Sequence, residues 1–81
     1  MSNEKYIRES AAKYGWIKYY ALLRPVSIGT QPTKGFMDFI NYDERTEVDG
    51  KMVWAELYYN RELTEKEMKD YDLVKAKERV I

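Results

Sequence analysis

The chemistry open to this 81-residue chain is set first by two residue types it lacks. It contains no His and no Cys. The commonest general base, metal ligand and neutral-pH switch is therefore missing, and so is any thiolate nucleophile, disulfide or zinc knuckle. Ser2, Ser10 and Ser27 supply hydroxyls, but there is no imidazole to activate them. Carboxylates are plentiful. Asp43, Glu44 and Glu47 lie close together, and paired carboxylates can do acid–base work. On a strand, however, Asp43 and Glu44 point to opposite faces. No Asp-x-Asp-x-Asp-Gly loop offers a hard cation its oxygens. Gly29 and Gly35 do not form a phosphate loop, because Phe36 rather than Lys follows and the next segment is strand-like. The expectation is a protein with no catalytic residue, metal or cofactor, and not an enzyme.

Two other constellations point to recognition. Asp43, Glu44, Glu47, Asp49 and Glu56 form an acidic block. Such a display can occupy a basic groove by imitating the spacing of phosphates, or it can be an ordinary solvated face. Trp16, Tyr20, Arg24, Trp54 and Tyr58, with Lys18 and Arg45 among them, set rings beside cations. That combination can stack bases and track phosphates. It can equally make a protein-binding hot spot. The plainer alternative is core, since a chain with two Trp, eight Tyr and two Phe must bury most of its rings. Fourteen basic and fourteen acidic residues sum to zero, which weakens the nucleic-acid reading. The charge is unevenly spread. Residues 1–35 carry six basic and two acidic side chains, a net of +4, whereas residues 36–67 carry nine acidic and four basic, a net of -5. A surface with one acidic end suits a basic partner.

The elements that must position these residues can be read in order. Residues 2–14 read as a helix, with Ser2 or Asn3 as cap, Glu4 in the first turn and Gly15 as the stop. Tyr6, Ile7, Ala11 and Tyr14 give it a narrow apolar stripe. Residues 16–23 read as a strand ended by Pro25 or confined by it to an edge, and residues 27–35 as a loop. Residues 36–48 and 51–60 read as a hairpin around Asp49-Gly50, the pair that a type I′ turn prefers. Uninterrupted pairing from that turn sets Val48 against Lys51, Thr46 against Val53, Glu44 against Ala55, Tyr42 against Leu57 and Ile40 against Tyr59. Ile40, Tyr42, Val48, Val53, Ala55, Leu57 and Tyr59 then share the core face. Thr64-Glu65-Lys66-Glu67 is a capping-box pattern, with Leu63 and Met68 as its hydrophobic staple, and predicts a helix over residues 64–71. Residues 71–74 could add a last short strand, and residues 75–81 read as a charged tail.

These elements make one α+β domain over residues 1–81, a three-stranded antiparallel meander with an N-terminal helix and a short C-terminal one. The chain buries only about 60–65% of its extended-chain surface at this size, so its stability margin is thin. Charged residues at 35% and a mean hydropathy of -0.72 leave no segment able to cross a bilayer as a helix. Met1-Ser2-Asn3-Glu4-Lys5 leads into no apolar stretch, so a cytoplasmic location is expected.

Three runs add a resemblance. Tyr19-Tyr20-Ala21-Leu22-Leu23-Arg24-Pro25-Val26-Ser27-Ile28-Gly29-Thr30-Gln31-Pro32 resembles the opening of the large-polyvalent-protein-associated small domains of phages and conjugative elements. Phe39-Ile40-Asn41-Tyr42-Asp43-Glu44-Arg45 and the run from Glu62 to Leu73 resemble the rest, so the likeness covers about residues 18–74. It implies a mobile-element gene near replication, transfer or counter-defence functions in a bacterial host, and no enzymatic activity. The expected function is a small anti-defence inhibitor, of anti-CRISPR or anti-restriction type, that binds a host protein. A nucleic-acid-binding accessory module and a helper dimerising through the strand at residues 16–23 are the alternatives.

Overall fold

The computed structural model describes residues 4–27 and 29–76. Helix α1, Glu4–Tyr14, is followed by strands β1 (Ile17–Ala21), β2 (Phe36–Val48) and β3 (Lys51–Tyr59), helix α2 (Glu65–Asp70) and strand β4 (Leu73–Lys75). The α+β class, the hairpin and both helices stand as expected. The proposed caps Ser2 and Asn3 and most of the tail, residues 77–81, lie outside the described residues.

The sheet has four strands in the order β2-β3-β1-β4, all pairings antiparallel. It is therefore not a three-stranded meander: β1 lies against β3, and β3 is flanked on both sides. The expectation that residues 16–23 could form an exposed edge is corrected by β4. Leu73, Val74 and Lys75 pair with Ala21, Tyr20 and Tyr19, and the Ala76 N–H donates to Lys18 O at 2.9 Å. The edges are β2 and the three-residue β4.

Both faces of the sheet are covered. One carries Tyr19, Ala21, Ala55, Leu57 and Tyr59, packed with Val26, Leu63, Leu73 and Met68. Leu57 and Val53 are fully buried, each contributing about 1.5–3 kcal/mol by leaving water. The other face carries Ile40 and Tyr58 under Ile7 and Ala11, one turn apart on α1, with Trp16 and Tyr42 at the flank.

The hairpin turn forms as read: Asp49 has φ 53° and Gly50 φ 80°, the two positive values a type I′ turn requires. Pairing holds through Val48–Lys51 and Thr46–Val53, then shifts. Asn41 pairs with Ala55, so five steps along β2 match two along β3, and three residues of β2 are in excess. The uninterrupted register is thereby overturned. Ile40 pairs with Glu56 rather than Tyr59, and Ile40 and Tyr42 sit on the α1 face, opposite Leu57. A straight strand of thirteen residues would span roughly 43 Å, whereas the longest axis of the molecule is 28 Å. The irregularity curls the hairpin back over the sheet.

The loop before β2 is fastened by side chains. Asn41 Oδ1 accepts from Val26 N–H at 2.8 Å and Asn41 Nδ2 donates to Val26 O at 3.1 Å. The Tyr59 hydroxyl donates to Pro32 O at 2.6 Å. At α2 the capping box is complete: Glu67 N–H donates to Thr64 Oγ1, and Thr64 N–H to Glu67 Oε1. Leu63 and Met68 meet in the same apolar cluster, as a staple should.

Candidate functional site

Glu56 stands at the centre of the α1 face. It is on β3, so alternation sends its side chain to the same side as Tyr58, and it is only 4% exposed. Arg8 grips it from α1 with two prongs, Nη2 at 2.8 Å from Oε2 and Nε at 3.3 Å from Oε1. The Tyr58 hydroxyl donates to Oε1 at 2.6 Å and the Tyr42 hydroxyl to Oε2 at 2.5 Å. Lys18 Nζ is 3.8 Å away. Burial pushes the Glu56 carboxyl up, but the hydrogen bonds from Arg8, Tyr42 and Tyr58 outweigh it and hold the group below its ordinary value. Burial first, and then the bond to Glu56, push the Tyr42 and Tyr58 phenols well above theirs.

This cluster positions α1 and leaves little room for chemistry at the carboxylate. Both of its oxygens already accept hydrogen bonds. Among the described residues, no buried polar side-chain atom lacks a partner, and no group of three or more Asp and Glu is placed to hold a metal ion. Arg8 and Tyr42 were not singled out from the sequence. Arg8 lies 48 residues from Glu56, and no local spacing links them.

The acidic block divides. Asp43, Glu44, Glu47 and Asp49 are exposed along the curled hairpin, with exposed Arg45 and Lys51 among them. Glu56 is buried and neutralised by Arg8, so it does not join that display. The aromatic and basic set divides too. Tyr20 and Tyr58 are buried, Trp16 and Trp54 are half-buried, and Arg24 is exposed. Trp16 lies between Tyr14, stacked at 5.7 Å, and Tyr58 at 6.5 Å. The Lys18 ammonium sits 5.8 Å from the Tyr58 ring centre and 6.0 Å from that of Tyr20. These rings and this cation already serve one another, which removes most of a base-stacking platform.

Beside them opens a cleft of about 720 Å³, bounded by Ala11, Gly15, Trp16 and Tyr20 and, from the curled hairpin tip, by Val48 and Asp49. No helix among the described residues is long and apolar enough to cross a membrane.

Residues 14–78 match the family described as defence against restriction A, C-terminal. The chain belongs to that family. The defence-against-restriction family is an anti-restriction-related domain of phages and mobile elements, which agrees with the setting that the sequence runs implied. The family that matches is this one, rather than the polyvalent-protein family those runs resemble. The matched residues take in the whole sheet, α2 and all ten candidate residues, but only the last residue of α1. No curated protein and no solved structure matches the chain.

Proposed function

We propose that this chain is a non-enzymatic, protein-binding factor of a mobile genetic element. Its target is a host defence enzyme that handles nucleic acid, of restriction or CRISPR type, and it acts by complementary shape and charge. Membership of the defence-against-restriction family supports the biological setting. The observation that carries the mechanism is the exposure of Asp43, Glu44, Glu47 and Asp49 on one curled hairpin, while the aromatic set is largely buried. Acidic groups spaced along a ribbon attract a groove built for phosphates, and such attraction weakens with salt.

The test is the triple reversal Glu44→Lys, Glu47→Lys and Asp49→Lys, assayed for inhibition of a purified restriction enzyme or CRISPR nuclease that the wild-type chain inhibits. Inhibition should fall by about tenfold or more, and the wild-type effect should itself decline steeply as salt rises. Full inhibition by the triple variant would remove the acidic mechanism.

A further inference from the structure

The cleft beside Trp16 contains a polar group that the fold does not use. Tyr20 borders the cleft and is only 8% exposed. A phenol so deeply placed is ordinarily paired. The other inward tyrosines are: Tyr42 and Tyr58 donate to Glu56, Tyr59 donates to Pro32 O, and Tyr19 accepts from Leu63 N–H. The Tyr20 hydroxyl makes no hydrogen bond among the described residues. No enclosed polar side-chain atom among them lacks a partner, so this unpaired hydroxyl reaches open space, and the space that Tyr20 borders is the cleft.

Asp49, carried in by the curl of the hairpin, lines the same cleft. Its carboxylate is near enough to help push the Tyr20 phenol up, after burial and Glu56, yet no hydrogen bond joins the two. Two oxygens are thus left with a gap between them. Both can accept, and a carboxylate can only accept. The group that fits the gap is therefore a positively charged donor. Lys18 does not fill it, because its ammonium is held 3.8 Å from Glu56, over the Tyr58 and Tyr20 rings. Ala11, Ala12 and Val48 supply apolar wall, which suits the aliphatic stem of a long basic side chain.

We propose that the cleft takes an arginine side chain of the target protein, its stem along Ala11, Ala12 and Val48 and its guanidinium bridging the Tyr20 hydroxyl and the Asp49 carboxylate. The inference rests on the reading of the acidic hairpin as a ligand for a phosphate-binding groove, and it names the side chain that such a groove inserts. Arginine is abundant where phosphates are bound. Its flat fork carries donors on two sides and bridges two acceptors, and it is more weakly hydrated than a lysine ammonium.

The full chain is titrated with N-acetyl-arginine amide, N-acetyl-lysine amide and acetate, followed by NMR. The arginine probe should move the Trp16 indole signal and the Asp49 and Gly50 amides, and should bind about threefold or more tightly than the lysine probe. Tyr20→Phe and Asp49→Asn should each weaken it about tenfold, and Asn keeps the turn. Tyr20→Phe should leave the urea midpoint unchanged or raised, since no hydrogen bond within the chain is lost. Against the target, Tyr20→Phe should lower inhibition about tenfold with every acid in place. The proposal is overturned if the arginine probe leaves those signals still, if both variants bind it as wild type does, if acetate moves the signals more strongly, or if Tyr20→Phe destabilises the chain. Glu44 and Glu47 do not line the cleft, so reversing those two alone tests the hairpin. A silent arginine probe beside inhibition that still needs Glu44 and Glu47 removes the cleft and leaves the hairpin. Probe binding as stated, with inhibition indifferent to that reversal, removes the hairpin instead.

Discussion

Glu56 is the residue at which a small chemical change has the largest reach, because four donors converge on two oxygens. Replacing it by Ala leaves Arg8 and two phenols without their acceptor. The expected loss is about 3–5 kcal/mol, read as a lower urea midpoint with an unchanged slope. Arg8→Ala should cost a comparable amount, since it leaves the buried carboxylate with only the two phenols and Lys18, 3.8 Å away. The pH dependence follows from the same contacts. The folded carboxyl is held below its ordinary value of 4.5. Its contribution is therefore complete above the unfolded value and is lost as pH falls through the folded one. Tyr42 and Tyr58 behave oppositely. Their folded values lie above the ordinary 10.0, so their contribution is complete below pH 10 and is lost as pH climbs beyond it. Thermal melts from pH 2 to 11 should show both flanks. Tyr58→Phe should flatten the alkaline flank, and a Glu56→Gln chain that kept the full acid flank would contradict the assignment.

At the scale of elements, α2 depends on its cap. Thr64→Ala removes the oxygen that accepts from Glu67 N–H and should cost about 1 kcal/mol. Arg61 and the Thr64 backbone hold the Glu67 carboxyl down to about 2, so the helix end should loosen only below the usual carboxylate range, visible in local exchange rates. Gly35→Ala should be worse tolerated than a cap loss. Its φ is +78°, and an added Cβ would stand 2.6 Å from Asn60 Oδ1. What was legible in the sequence divides along the same line. The Asp49-Gly50 turn and the Thr64–Glu67 box were readable because each is a local contest that a few residues decide. Strand β4 was readable only as one of two options for residues 71–74, since so short a run differs from an extended tail only once β1 is beside it. The excess residues of β2 carry no local mark, and so Ile40 and Tyr42 were assigned to the wrong face. The Glu56 cluster was beyond reach for a related reason: two strands and a helix must first meet before Arg8 and the two tyrosines become neighbours.

The shape of the whole molecule follows from that misalignment in the hairpin. Asn41 to Thr46 spans five steps opposite the two from Ala55 to Val53, and the surplus bends the ribbon until its tip faces α1. Two consequences are linked. The bend sets the exposed Asp43, Glu44, Glu47 and Asp49 on a curved ribbon rather than along a projecting finger, and it brings Val48 and Asp49 to the cleft beside Trp16. Deleting Asp43, Glu44 and Arg45 together removes the three extra residues and lets Tyr42 and Thr46 join one regular ladder. The net charge changes by only one, so long-range attraction to a partner is nearly preserved while the curvature is not. The deletion variant should be longer than the wild type, whose Cα radius of gyration is 11.9 Å, and small-angle scattering would read the difference directly. Trp16 fluorescence should shift to the red as the tip withdraws. If curvature sets the spacing of the acids, this variant should inhibit poorly although Glu47 and Asp49 remain. Full inhibition by a chain proven to be extended would mean that charge alone, without the bend, makes the contact.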